Sequence, residues 1–410
     1  MTGFSTRAIH GAVLKRDVHG SLRAPVYDNV AFEFDSARDI NLAFAGRKPA
    51  HTYSRITNPT VEDFEQRIRL ASGGAAAVAV SSGMAAIANV ILTLAGAGTN
   101  IVTSKHLFGN TLSLFEKTLK PWGLDIRYAD MSDPDTVARA IDHNTRAVFL
   151  ESITNPQLEV ADFRPLSAIT REKSVPLVVD NTVTTPYLFR SKEFGVNVEV
   201  LSSTKYITGG ATSLGGVIID NGNYDWRNSP RLKEWAVKMG PLAMLGALRR
   251  EIYRNVGACL APHHAYLQSL GLETMSLRID RSCSNALELA EFLQQHDKVA
   301  SVHYPGLPDS VYHENAKKQF RSRYGGILTF DLHDKDSCFK LMDALKLIKR
   351  ATNVNDNKTL ILHPASTIFC EYPDEVLSDI GVRHTMIRLS AGIEDIDDLR
   401  NDLETGLAKL

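Results

Sequence analysis

The segment Glu199-Val200-Leu201-Ser202-Ser203-Thr204-Lys205-Tyr206 joins a short apolar run to a lysine flanked by hydroxyl side chains, and a glycine-rich stretch follows at 209–216. The apolar run predicts a short buried strand. A lysine just past such a strand indicates an amine that forms an imine with an aldehyde cofactor, with Ser202 and Thr204 near that cofactor's phosphate. Taken alone, the segment is more typical of an exposed loop lysine.

Short apolar runs of this kind recur on the N-terminal side of the segment and alternate with helical patterns. Strands are predicted at 75–81, 100–103, 125–129, 147–150, 177–179 and 199–201, and helices at 61–70, 84–94, 112–119, 134–141 and 162–173. This alternation indicates βαβ units, and therefore an α/β protein with a mostly parallel sheet covered on both faces.

The pattern changes at both ends of the chain. After about residue 252, helices are predicted at 255–270, 283–295 and 335–348 and a strand at 324–332, which indicates a smaller α+β domain. Residues 1–58 are rich in aromatic residues and turn formers and show no sustained period. They predict an arm that wraps the body or a partner subunit; an irregular extension packed on its own domain is the alternative.

Composition excludes several classes of function. The chain has 410 residues, and 46 Lys and Arg against 47 Asp and Glu leave a net charge of −1, which argues against nucleic-acid or anionic-membrane partners. The four cysteines are widely spaced and the histidines form no HExxH pattern, so no metal is expected. The longest apolar stretch, 84–97, is shorter than the roughly 20 residues of a membrane helix. A cytoplasmic location is expected.

Two further segments favour a phosphate-bearing cofactor. Asp180 follows the apolar run at 177–179, where a carboxylate can pair with a protonated pyridine nitrogen; a helix N-cap or loop aspartate is the alternative. Ligands of parallel sheets bind at such strand ends. Gly83, in the run 81–86 before a helix, lets backbone N–H groups approach a phosphate. An ordinary N-cap at Ser82 is the structural alternative.

These motifs occur in a recognisable order: 53–60, 81–86, 151–156, 180–182, 202–206, 363–366 and 388–392. The order resembles the pyridoxal-phosphate enzymes of cysteine and methionine metabolism, the cystathionine γ-synthase-like group, over essentially the whole chain from about residue 20. The resemblance implies the aspartate aminotransferase fold (fold type I). It also implies an N-terminal arm at 1–58 that contributes to a neighbouring subunit, a pyridoxal-phosphate-binding domain at 59–252 and a C-terminal domain at 253–410.

The resemblance implies roles for individual residues around pyridoxal 5'-phosphate. Lys205 would hold the cofactor covalently and shuttle protons, while Asp180 would pair with its ring nitrogen. Asn155 would lie near the ring oxygen and the substrate, and Phe108 would stack on the ring. The phosphate would be bound by the backbone N–H groups of Gly83 and Met84 and by Ser202 and Thr204.

The remaining implied roles concern a partner subunit and the substrate. Tyr53, counted with Lys205 and Asp180 as catalytic, and Arg55 would reach the phosphate of a neighbouring subunit in a homotetramer built as a dimer of dimers. Arg388 would bind the α-carboxylate of an amino-acid substrate with its guanidinium fork, and Thr359 would help to hold that carboxylate.

Departures from the family pattern narrow the expected reaction. Phe108 stands where the family usually has a tyrosine, Gly209-Gly210 stands where many members have Gly-His, and the segment 356–366 resembles that of the sulfhydrylases. The resemblance therefore implies γ-replacement on O-acetyl-L-homoserine by a sulfur donor such as sulfide, giving L-homocysteine and acetate in methionine biosynthesis. Methionine γ-lyase, cystathionine γ-synthase and a non-catalytic relative remain alternatives.

Overall fold

Seven strands form the larger of two sheets in the computed structural model, which describes residues 3–11 and 17–410. They are β1 Ala76–Val80, β2 Asn100–Thr103, β3 Asp125–Tyr128, β4 Thr145–Glu151, β5 Leu177–Asp180, β6 Val198–Leu201 and β7 Gly216–Asp220. Across the sheet the order is β1-β7-β6-β5-β4-β2-β3, and all neighbours are parallel except β7, which is antiparallel to both β1 and β6. The mostly parallel central sheet is confirmed.

Strand β7 is the one member of this sheet that the apolar patterning did not predict. It begins at Gly216, the last residue of the glycine-rich stretch at 209–216. A Cβ on Gly216 would lie 2.1 Å from the carbonyl oxygen of Ser82. Glycine is therefore required where β7 passes the segment that follows β1, and the run of glycines concealed the strand.

The smaller sheet has five strands within the same described residues. They are β8 Ser301–His303, β9 Ile327–Asp331, β10 Lys349–Arg350, β11 Leu360–Leu362 and β12 Met386–Ser390. Their order is β10-β11-β12-β9-β8, and only β10 and β11 pair in parallel. The strand predicted at 324–332 is present in its central part as β9, because Gly325 before it has a left-handed backbone, with φ +82°.

Helices cover both sheets. The first nine are α1 Phe4–Ile9, α2 Ala37–Phe44, α3 Pro59–Ser72, α4 Gly83–Leu94, α5 Gly109–Ser113, α6 Pro134–Ala140, α7 Phe163–Glu172, α8 Thr185–Leu188 and α9 Lys233–Met239. The others are α10 Ala243–Ala247, α11 Arg254–Val256, α12 Pro262–Glu273, α13 Met275–Gln294, α14 His313–Gln319, α15 Lys335–Ala344, α16 Asp374–Asp379 and α17 Ile396–Leu407. The predicted helix at 112–119 is α5 continued by a π-helical turn, Leu114–Leu119.

Three predicted helices had wrong bounds. The helix expected at 255–270 is broken into two. Gly257, with a left-handed φ of +77°, ends α11, and Pro262 is the first residue of α12. The helix expected at 283–295 begins earlier, at Met275. The helix expected at 335–348 ends at Ala344, since Leu345 is extended and the chain then enters β10.

The N-terminal arm is attached to its own chain at several points. Helix α1 packs against α3 and buries Phe4 and Ala8. Arg23 forms an ion pair with Glu273 of α12 at 2.8 Å. Residues 1–2 and 12–16 of the predicted arm lie outside the described residues.

Helices α12 and α13 connect the two sheets. Helix α12 packs against α3, and Ile279 in the first half of α13 belongs to the core beside the larger sheet. Leu289 in its second half packs in the core of the smaller sheet. The domain boundary at residue 252 stays a prediction. Within residues 3–11 and 17–410, no helix combines the length and apolarity needed to span a membrane.

Candidate active site

A cavity of about 390 Å³ lies where β4, β5 and β6 end, beside loops that lead to and from the smaller sheet. Glu151 and Asp180 are the last residues of β4 and β5, and Ser202 directly follows β6. The three strands are parallel, so their carboxyl ends meet at one edge of the sheet. Nine of the predicted site residues line this cavity: Gly83, Met84, Phe108, Asn155, Asp180, Ser202, Thr204, Lys205 and Arg388.

Lys205 lies in the turn after β6, and its amine is held by a loop distant in the sequence. Its Nζ donates a hydrogen bond to Oδ1 of Asn353 at 2.5 Å, and Nδ2 of Asn353 donates to Asp356 at 3.0 Å. The pKa of Lys205 is lowered from 10.5 to about 8, mainly by burial and also by the charge of Arg388, while Asp356 opposes the shift. An amine with a lowered pKa is available as a nucleophile near neutral pH.

Asp180 and Glu151 form a pair of neighbouring buried carboxyl groups. They are partners in the parallel register of β4 and β5. Burial raises the pKa of Asp180, against hydrogen bonds from Thr182 that lower it. The pKa of Glu151 is raised well above its ordinary value by burial and then by the charge of Asp180. A cationic group in the cavity would relieve this repulsion.

The start of α4 faces the end of β6. Ser82 caps α4, its hydroxyl accepting the N–H of Ala85 at 3.0 Å, so the N-cap alternative is also true of this residue. A Cβ on Gly83 would lie 2.7 Å from Cβ of Ser202. Helix N-terminal N–H groups that line a cavity favour an anion such as a phosphate. The Thr204 hydroxyl lies beside them and exchanges hydrogen bonds with Gly215.

Arg388 lies on β12 of the smaller sheet and closes the opposite wall of the cavity. The side chain is 2% exposed. Nη1 donates to Oδ1 of Asn155 at 3.0 Å, and Nη2 donates to the carbonyl oxygens of Thr352 and Asn353 at 3.3 and 3.4 Å. These partners are all neutral, and burial lowers the pKa of Arg388 to about 9. A buried guanidinium with neutral partners favours an incoming carboxylate.

Thr359 does not line the cavity of the described chain, and its contact with a substrate carboxylate stays a prediction. Its hydroxyl donates to Glu394 at 2.8 Å and accepts the N–H of Gly392 at 2.9 Å. The side chain is fully buried in this network. Two residues nearer the start of the same loop, Thr352 and Val354, line the cavity instead. Residues 356–359 then lead into β11.

Tyr53 and Arg55 also lie outside the cavity lining of the described chain. Tyr53 is 41% exposed, and the Arg55 guanidinium stacks over its ring at 5.4 Å. Nη1 of Arg55 donates to the carbonyl oxygen of Arg254 at 2.5 Å. The single chain therefore leaves both residues on its surface, and their action on a neighbouring subunit stays a prediction.

Sequence reasoning assigned no role to three residues around the cavity: Glu151, Asn353 and Asp356. A signal existed for Glu151, since it ends a buried strand as Asp180 does. No local pattern indicates Asn353, which contacts Lys205, or Asp356, which holds Asn353, because both contacts depend on the packing of a distant loop.

The sequence is similar to known proteins over almost its whole length. The family model for Cys/Met metabolism PLP-dependent enzymes matches residues 5–408. The chain belongs to this family. An O-acetyl-L-homoserine sulfhydrylase of Corynebacterium glutamicum is 39% identical over 100% of this chain and 97% of its own.

Two solved structures of Cys/Met metabolism enzymes agree with the assignment. A chain from Campylobacter jejuni that carries a pyridoxyl-lysine phosphate group at its position 205 superposes with a TM-score of 0.95, at 34% identity over 99% of this chain and 100% of its own. An O-acetylhomoserine sulfhydrylase from the methionine pathway of Wolinella succinogenes is 49% identical, with a TM-score of 0.77 over 86% of this chain and 98% of its own. The α/β fold of type I is therefore confirmed.

Pyridoxal phosphate is the cofactor of the family, and the cavity residues fit it. The amine of Lys205, the buried carboxyl of Asp180 and the N-terminus of α4 all line one cavity. Because Gly83 has no side chain, the start of α4 packs directly against Ser202 at the end of β6. No cluster of three or more potential metal ligands occurs in the described parts of the chain.

Proposed function

We propose that this chain catalyses γ-replacement on O-acetyl-L-homoserine by sulfide, forming L-homocysteine and releasing acetate. Arg388 carries the proposal, because it is a buried guanidinium on the cavity wall whose partners are all neutral. The site so defined would take the α-carboxylate of an amino acid. The sulfhydrylases among the similar proteins act within the same family.

The charges of the cavity favour an acetyl over a succinyl ester. Among the described residues that line it, Lys205 and Arg388 are the two cationic side chains. One would serve the cofactor and the other the α-carboxylate. A succinyl group would bring a further carboxylate into contact with buried apolar side chains such as Ile153 and Val354, where an unpaired charge is costly.

The cofactor would be held at three points of the chain. Lys205 would attach to it, Asp180 would pair with its ring nitrogen, and the Gly83 and Met84 N–H groups with Ser202 and Thr204 would bind its phosphate. Bound pyridoxal phosphate supplies an electron sink for the charge that develops next to the amino group of the substrate. Phe108 would stack on the ring, and Asn155 would lie at its edge.

Lys205 would move protons at the substrate. With a pKa of about 8, roughly one tenth of its amine groups are neutral at pH 7 and able to accept the proton of Cα. The hydrogen bond to Asn353 holds Nζ on the Arg388 side of the cavity. Phe108 supplies no phenol for a second proton transfer at this point. Lys205 would therefore carry the proton chemistry in this chain.

The N-terminal arm would complete the site of a neighbouring copy. Tyr27, Phe44 and Tyr53 are 44%, 68% and 41% exposed, so the arm presents aromatic surface that a partner would cover. In this proposal Tyr53 and Arg55 reach the cofactor phosphate of that partner, in a homotetramer made of two dimers. The arm at 1–58, a cofactor domain at 59–252 and a C-terminal domain at 253–410 would be its parts. The four free thiols are in keeping with a cytoplasmic enzyme.

A product analysis tests the proposed reaction. The purified protein with its cofactor is given O-acetyl-L-homoserine and sulfide, and in parallel O-succinyl-L-homoserine with sulfide or methionine alone. Equal amounts of homocysteine and acetate from the first mixture, well above the other two, are expected. Ammonia and 2-oxobutyrate as main products would identify a lyase and overturn the proposal, as would a preference for the succinyl ester.

A further inference from the structure

We propose that Glu151 is a positioning residue that fixes two walls of the cavity relative to each other. One wall is at Phe108, which would stack on the cofactor, and the other is at Asn155, which contacts the substrate-binding Arg388. Glu151 is the last residue of β4, lines the cavity and is 6% exposed. This role rests on the use of the cavity proposed above. It does not depend on which sulfur compound reacts there.

Each oxygen of the Glu151 carboxyl group accepts a different backbone amide. Oε1 accepts the N–H of Phe108 at 2.6 Å, and Oε2 accepts the N–H of Asn155 at 3.1 Å. Phe108 begins α5 after the loop that follows β2, whereas Asn155 lies in the loop that follows β4. One side chain therefore ties together two loops that approach the cavity from different strands.

Each of the two loops contributes a residue to the cavity wall, Phe108 in one and Asn155 in the other. The Phe108 ring lines the cavity directly. Asn155 accepts a hydrogen bond from Nη1 of Arg388, so the position of its backbone decides where the guanidinium fork points. A displacement of Glu151 would move the stacking ring and the carboxylate-binding arginine together, which is how a residue outside the reaction can change its rate.

The chemistry of this contact requires a carboxylate with two acceptor oxygens. A glutamine at this position would keep one acceptor, but its NH₂ group would face a backbone N–H. Burial and the adjacent Asp180 raise the pKa of Glu151 and disfavour its charged form. A carboxyl group at this position therefore destabilises the fold unless its hydrogen bonds compensate, and packing alone does not explain it. Pairing of Asp180 with a cationic ring would reduce that repulsion, which links the state of Glu151 to the bound cofactor.

Glu199 offers a matched comparison for a purely structural buried carboxyl group. It lies on β6, is 1% exposed and does not line the cavity. Its oxygens accept hydrogen bonds from the side chains of Asn181 and Ser191, and neither bond involves the amide of Phe108 or of Asn155. Glu199→Gln therefore measures the cost of losing a buried carboxylate without disturbing Phe108 or Asn155.

The test compares full-length wild type, Glu151→Gln and Glu199→Gln, each with bound cofactor. Hydrogen–deuterium exchange is followed at the amides of Phe108 and Asn155, together with the visible circular dichroism of the cofactor and the spectroscopic dissociation constant for the amino-acid substrate. In Glu151→Gln we expect at least tenfold faster exchange at one or both amides, reduced circular dichroism and a roughly 10- to 100-fold weaker substrate affinity. Glu199→Gln lowers thermal stability and leaves the exchange at both amides unchanged.

Unchanged exchange at both amides in Glu151→Gln, or equal changes in Glu199→Gln, would overturn the positioning role. If Glu151→Gln does not fold, Glu151→Asp provides the same test, because it keeps the carboxyl group but is too short to reach both amides. Neither exchange nor circular dichroism needs turnover. A wild-type protein that makes no homocysteine would therefore refute the proposed reaction while the result on Glu151 stands.

Discussion

The amine of Lys205 is hydrogen-bonded to the side-chain oxygen of Asn353, a residue that lies between β10 and β11 of the smaller sheet. Asp356 accepts a hydrogen bond from the amide nitrogen of Asn353 and so turns its oxygen towards the lysine. The larger sheet supplies the reactive amine and the smaller sheet orients it. The geometry at Lys205 thus depends on both halves of the molecule.

The lowered pKa of Lys205 predicts how the cofactor-free protein captures pyridoxal phosphate. Only the neutral amine attacks an aldehyde, and burial lowers the pKa from 10.5 to about 8. The second-order rate constant, measured by stopped-flow absorbance, should rise about tenfold per pH unit below 8 and level off above it. A rate that continues to rise to pH 10 would contradict this expectation.

Asp356→Asn should move the midpoint of that pH profile downwards. The carboxylate favours the protonated amine, so its removal lowers the pKa of Lys205 further. The amide that replaces it can also present NH₂ to Asn353, which weakens the fixed orientation of the tether. The exposed Asp397→Asn serves as the control and should leave the midpoint in place. A midpoint that rises in Asp356→Asn would show that Asp356 does not raise the pKa of Lys205.

Arg388→Lys should weaken substrate binding and spare the cofactor. The lysine keeps a positive charge but loses the planar fork and the hydrogen bond to Asn155. We expect a KM for O-acetyl-L-homoserine roughly 100-fold higher, which corresponds to about 2.7 kcal/mol, and a cofactor dissociation constant close to that of wild type. Arg281→Lys, at an exposed ion pair with Asp395, is the control. Equal losses of both affinities would show that Arg388 acts on the fold instead.

Gly83→Ala should weaken cofactor binding through its phosphate. The new Cβ would lie 2.7 Å from Cβ of Ser202, so the start of α4 must move away from the end of β6. A cofactor dissociation constant raised at least tenfold is expected in equilibrium titrations of the cofactor-free protein. In Gly3→Ala the added Cβ meets nothing within 4 Å, and this control should bind normally. If Gly83→Ala binds the cofactor with wild-type affinity, the phosphate does not bind at the start of α4.

The sequence predicts those parts of the site that are tied to local patterns. Lys205, Asp180 and Gly83 each follow a recognisable apolar strand, and parallel strands bring their carboxyl ends together. Arg388 could be included only through the family resemblance, because it comes from the other sheet. The fold is predictable to the same extent: the parallel strands have clear patterns, whereas β7 is concealed among glycines that its close packing requires.

Residues whose positions depend on distant contacts could not be placed from the sequence. Thr359 and Asn353 lie in one loop, and nothing local distinguishes the residue that contacts Lys205. The structure places Asn353 on Lys205 and turns Thr359 towards Glu394. Likewise, apolar spacing alone could not show that Gly257 and Pro262 interrupt the predicted helix at 255–270, although both residue types are known helix boundaries.

Covalent mapping of the cofactor tests the central assignment most directly. The purified protein with bound pyridoxal phosphate is reduced with borohydride, digested and analysed by mass spectrometry, with Lys205→Ala and the exposed Lys358→Ala treated in parallel. We expect a pyridoxyl phosphate group on the peptide that contains Lys205 in wild type and Lys358→Ala, and on no peptide in Lys205→Ala. The same group on a different lysine in wild type, or its persistence in Lys205→Ala, would show that Lys205 does not hold the cofactor.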